Sequence, residues 1–138
     1  MAKDIYHENV RQALLKDGWV ITHDPFRVQY GDADLSIDLG AEKVIAAEKG
    51  EEKIAVEVKS FVTKSLIYEF HEVLGQYLNY RRILRLTHQE DRNVILAIPS
   101  EAYDRLFRKE FVQITLDEEK VNYFVFDTYK NEILSWKK

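Results

Sequence analysis

Hydrophobic positions change period several times along the chain, and each change marks an element. Tyr6, Val10, Ala13 and Leu14 recur at helical spacing behind Asp4 as N-cap, and Gly18 supplies a stop, which predicts a first helix over about residues 5–17. Trp19-Val20-Ile21-Thr22 reads as a short strand closed by Asp24-Pro25. Between Val28 and Phe61 the period becomes two: Leu35, Ile37 and Leu39 alternate with Asp34, Ser36 and Asp38, and Ile54, Val56 and Val58 alternate with Ala55, Glu57 and Lys59. Lys49-Gly50-Glu51 is the turn between them, so the two strands are expected to form an antiparallel hairpin.

Ser65 is placed to cap a longer helix ending near residue 86, because Leu66, Ile67, Phe70, Val73, Leu74, Tyr77, Leu78 and Leu84 trace one broad apolar stripe. Asn93-Val94-Ile95-Leu96-Ala97-Ile98 before Pro99 has the continuous apolar run of a strand buried on both faces. Glu101 to Lys109 reads as a third helix. Phe111 to Leu116, Val121 to Asp127 and Glu132 to Trp136 read as late strands or extended cover, on their β-branched and aromatic content. The whole is one domain over residues 1–138 of the α/β class, a central mixed β-sheet flanked by helices. That order alone fits several functions.

Composition then narrows the chemistry. A hydrophobic content of 46% with 32% charged residues suits an ordered globular chain. The absence of a signal peptide or an apolar run of membrane-spanning length points to a cytoplasmic protein. Without cysteine there is no disulfide and no thiolate metal site, so any metal must sit on oxygen or imidazole. A net charge of −4 argues against a strongly basic nucleic-acid binder but leaves room for a local basic patch.

Glu57 and Lys59 stand two apart on a strand and so leave the same face. A metal nuclease uses that arrangement: the carboxylate holds Mg²⁺ or Mn²⁺, and the ammonium orients water or steadies charge on the phosphate. By itself Glu-x-Lys more often marks an ordinary wet strand face. Here Asp34, Asp38 and Glu42 precede it at even positions, and Gln76 and Tyr80 follow at i, i+4 on the second helix. This acidic strand, Glu-x-Lys, Gln-x-x-x-Tyr order is similar to one branch of the PD-(D/E)xK nucleases. It nominates Asp38, Glu57, Lys59 and Gln76 as catalytic, and Asp38, Glu57 and Glu42 as metal ligands. A turn centred on Lys49-Gly50 sets Glu42 opposite Glu57 and Asp38 roughly 13 Å further along. Gly40-Ala41 can bulge and draw Asp38 inward, so Asp38 is preferred, Glu42 second and Asp34 third.

Five segments, Lys3-Asp4-Ile5-Tyr6-His7, Gly18 to Pro25, Ile37 to Glu42, Ile54 to Phe61 and Gly75-Gln76-Tyr77, resemble the XisH family in order and spacing over almost the whole chain. The resemblance implies a restriction-endonuclease-like fold, a role as controlling factor in site-specific excision of the cyanobacterial fdxN element, and association with an XisI-like protein. DNA is the other expected partner, no membrane is expected, and a homodimer is left open. The competing function is a non-catalytic accessory that binds DNA or a partner and regulates a recombinase. Elsewhere, His7, His23, His71 and His88 are dispersed and are expected in solvent or at caps, Glu8 is a minor metal candidate, and Arg81, Arg82, Arg85 and Arg92 form the densest basic cluster.

Overall fold

The computed structural model describes residues 5–31, 44–62 and 65–138. The first helix, α1 (His7–Lys16), closes at Gly18, whose φ of +91° favours a residue without a Cβ. Lys49 closes over that corner and donates from Nζ to the Asp17 carbonyl at 2.7 Å. Strand β1 (Val20–His23) follows, and then the β2 (Ile45–Lys49) and β3 (Glu52–Val58) hairpin, turning at Gly50-Glu51 with Gly50 at φ +62°. Helix α2 (Leu66–Leu86) is capped as expected: Tyr68 N–H donates to Ser65 Oγ at 3.3 Å. Strand β4 (Arg92–Pro99) leads into α3 (Ser100–Ala102), which continues as a π-helical turn over Tyr103–Phe107. Helix α4 (Glu110–Glu118) and strands β5 (Tyr123–Asp127) and β6 (Glu132–Lys137) complete the described chain.

Among the described residues the sheet has six strands in sequence order, β1 to β6. The pairs are antiparallel for β1–β2, β2–β3 and β5–β6, and parallel for β3–β4 and β4–β5. Each parallel step needs a crossover, supplied by α2 for the first and by α3, the π-turn and α4 for the second. This explains why Phe111 to Leu116 is helix and not late strand. Its β-branched content suits either state, but a chain returning to lay β5 parallel to β4 must cross the sheet. Val112 and Leu116, four apart, then point inward while Phe111 and Ile114 stay exposed.

Two cores follow from the two faces. On one face, α2 to α4 cover Val44, Ala46, Ala55, Val94, Leu96 and Val125 with Phe70, Val73, Tyr77 and Phe107. On the other, α1 brings Val10 and Leu14 against Ile45, Ile54, Val56, Ile95 and Phe124. The result is a three-layer α/β arrangement with the mixed sheet in the middle. His7 is part of it rather than in solvent. It is 1% exposed, and its Nε2 lies 2.7 Å from Asp24 Oδ1, while Asp24 Oδ2 faces Arg11 Nε at 3.3 Å. The first helix is thereby tied to the turn after β1.

Candidate functional site

On β3, Ile54, Val56 and Val58 pack into the α1-side core, so Ala55, Glu57 and Lys59 face the α2 layer. This face is not an ordinary wet one. Glu57 is 0% exposed with both carboxylate oxygens buried, and the Lys59 side chain is only 12% exposed. Lys59 Nζ meets Glu72 Oε1 at 3.1 Å across to α2. Gln76 lies one helical turn beyond Glu72 on the same flank, and its Oε1 is buried. Tyr80, a further turn along, sits in the core at 7% exposure. The end of β3 and one flank of α2 therefore bring Glu57, Lys59, Glu72 and Gln76 into one region of the molecule.

Two residues that sequence reasoning passed over, Glu72 and Glu69, belong to the same flank. Glu69 is 7% exposed in the first turn of α2, three residues before Glu72 and seven before Gln76. Counting back from Gln76 by i−4 and i−7 would have found both acids; attention to the apolar stripe hid them. Glu57 and Glu69 are both below 10% exposed, and burying a carboxylate is costly unless it is paired or holds a cation.

The hairpin register moves the turn centre by one residue from the Lys49-Gly50 expected. Lys49 pairs with Glu52 and Ile45 with Val56, so the turn is centred between Gly50 and Glu51. The described pairs end at Ile45 and Val56, and Glu42, the expected partner of Glu57, lies beyond them. Asp38, Glu42 and Asp34 lie outside the described residues, as do Asp4 and Gly40-Ala41. Among the described residues no three acid or imidazole side chains gather closely enough to hold a metal ion. Glu8 is on α1, across the sheet from Glu57, where Gln12 and Arg11 engage it. Mg²⁺ or Mn²⁺ suits the chemistry of Glu57 as an oxygen donor; the other nominated ligands, Asp38 and Glu42, lie outside the described residues.

The arginine cluster divides. Arg92 turns inward at 9% exposure, donating to the Ile54 carbonyl at 2.9 Å, with Glu48 at 3.6 Å and the Phe26 ring 5.0 Å from its guanidinium carbon. It is a structural tie and not a phosphate holder. Arg81, Arg82 and Arg85 stay on the surface of the last turns of α2.

With this geometry, the comparisons with known proteins carry weight. The family model described as XisH protein matches residues 1–134. The chain belongs to the XisH family. A solved XisH family protein from Nostoc punctiforme shares 41% identity, with 98% of this chain and 100% of that one covered and a TM-score of 0.87. A solved fdxN element excision controlling factor protein from Anabaena variabilis shares 42% identity, covering 96% and 98%, with a TM-score of 0.86. No curated protein matches the chain. Among the described residues of this XisH-family chain, no helix is long and apolar enough to cross a membrane.

Proposed function

We propose that this chain acts in controlling excision of a DNA element, the role stated for its Anabaena relative, through a nuclease-type site at the end of β3. The mixed sheet with helices on both faces supports a restriction-endonuclease-like reading of the fold. The observation that carries the proposal is the complete burial of the Glu57 carboxylate on the strand face it shares with Lys59. Glu57 and Asp38, with Glu42 as second candidate, would hold Mg²⁺ or Mn²⁺. When bound, such an ion lowers the pKa of a coordinated water and offsets charge on the phosphate. Lys59 then orients the water or steadies charge on the phosphate, and Gln76 holds Lys59 or a phosphate oxygen in place. Glu72 keeps the Lys59 ammonium positioned until a phosphate competes for it. The water oxygen forms a bond to phosphorus as the bridging P–O bond breaks; the proton the water gives up goes to solvent, and the leaving oxygen takes one from solvent.

The test is nicking of supercoiled DNA in Mg²⁺ or Mn²⁺, by the protein alone and with its XisI-like partner. Wild type should nick, and Glu57→Gln or Lys59→Ala should slow it by roughly a hundredfold or more. Calorimetry should show Mn²⁺ binding lost in Glu57→Gln, and the same titration of folded Asp38→Ala and Glu42→Ala proteins decides between those acids.

A second reading has its own support. The engagement of Lys59 by Glu72, which occupies the ammonium, favours a non-catalytic accessory that keeps the fold to bind DNA or a partner and regulates a recombinase. Wild-type protein that never nicks under either metal, while retaining partner or DNA binding, establishes this reading over the first.

A further inference from the structure

The last turns of α2 and the start of β4 border a cleft of about 520 Å³, lined by Tyr77, Arg81, Arg82, Arg85, Asn93 and Asn122 among others. We infer that this cleft is a second contact point for the DNA phosphate backbone, held by Arg81, Arg82 and Arg85 and distinct from the Glu57 region.

Arg81 is fixed in place. Its guanidinium carbon lies 5.4 Å from the Tyr77 ring centroid, and one Nη donates to the Glu119 carbonyl at 2.8 Å. The Tyr77 hydroxyl is itself pinned by the Asn122 N–H at 3.0 Å, so ring and arginine form one wall. The planar guanidinium, whose Nη1 also donates to the Lys120 carbonyl at 3.5 Å, keeps its other nitrogen donors in a fork that matches phosphate oxygens. Arg82 and Arg85 are exposed, and among the described residues neither has a carboxylate within ion-pair distance. Glu90 and Glu119 also border the cleft, and Arg92 is already met by Glu48, so the available positive charge is that of the three α2 arginines. In a chain of net charge −4, such a group concentrates the positive potential at one place.

Arginines in a last helical turn also complement the helix dipole, which needs neither a cleft nor a fixed guanidinium. What favours a backbone ligand is position. The cleft lies on the same sheet face as Glu57, since Tyr77, Leu84 and Val94 border it and belong to the α2-side core. Lys53 pairs with Arg92 and Glu57 with Leu96, which puts the two regions four strand residues apart, roughly 13 Å. Duplex DNA rises about 3.4 Å per base pair, so one duplex lying along α2 would meet both regions within about four base pairs.

The inference rests on the proposed function only in taking DNA as the partner. It is tested by fluorescence anisotropy of the full chain with a short labelled duplex over a series of KCl concentrations. Arg82→Gln/Arg85→Gln should lower affinity at low salt by roughly tenfold and reduce the slope of log affinity against log salt by about two. Arg82→Lys/Arg85→Lys, which keeps the charge, should restore most of both. Wild-type affinity and slope in the glutamine variant overturn the cleft, while the Glu57→Gln nicking result stands independently. Inorganic phosphate that displaces the duplex far better than chloride of equal ionic strength would instead reveal a small-anion pocket, and also overturns it.

Discussion

At the scale of single residues, burial separates arginines that sequence spacing grouped together. Arg92 satisfies the Ile54 carbonyl inside the sheet and faces Phe26 and Glu48, whereas Arg82 and Arg85 stand in solvent. Arg92→Met should therefore destabilise the fold by about 2–4 kcal/mol, because it strands a buried carbonyl and leaves Glu48 without its cation. It should leave the salt slope of DNA binding unchanged. Urea midpoints and the anisotropy series check the two halves separately, and a loss of slope without a loss of stability would return Arg92 to the phosphate contacts. Glu57 shows the same lesson: period two gave its face correctly, but nothing in Ile-Ala-Val-Glu-Val-Lys told how deeply that face is covered. Burial depends on α2 and on the strands beside β3.

At the scale of elements, α2 is the part most completely legible. Its Ser65 cap, its apolar stripe and its end near residue 86 all agree with the helix Leu66–Leu86, since a long periodic segment with a cap needs little tertiary help. Gly75 is the local exception. It lies exposed in the middle of α2, and a Cβ there would meet nothing within 4 Å. Gly75→Ala should raise stability by about 0.5–1 kcal/mol, read as a higher urea midpoint. A lower midpoint would mean that the open space is required by the folded chain. Helix α4 is the opposite case, because its short, β-branched sequence takes its state from the crossover that joins β4 to β5.

At the scale of the whole molecule, the α2-side core carries a pH dependence. Burial raises the Tyr77 phenol above its usual 10.0, against the lowering effect of the Asn122 N–H and Arg81, and burial likewise raises Tyr123. The folded chain therefore holds these protons at pH values where the unfolded chain has released them. Their contribution to stability is full below pH 10.0 and is lost as pH rises through the folded-state values. The urea midpoint should fall above about pH 10, and fall less steeply in Tyr77→Phe. Equal alkaline slopes in the two proteins would remove Tyr77 as a source.

By itself the sequence determined the α/β class, the capped α2, the turn near Gly50 before strand β3 and the shared face of Glu57 and Lys59, because these depend on local periodicity, turn residues and a side-chain alternation of two; the strand expected around Leu35, Ile37 and Leu39 lies outside the described residues. Tertiary structure decided the rest. Parallel pairing made α4 a helix, packing joined His7 to Asp24 and turned Arg92 inward, and the approach of α2 buried Glu57 and delivered Glu72 to Lys59. Each of these is a contact between segments distant in the chain, where the free energy of burial and pairing outweighs any local preference.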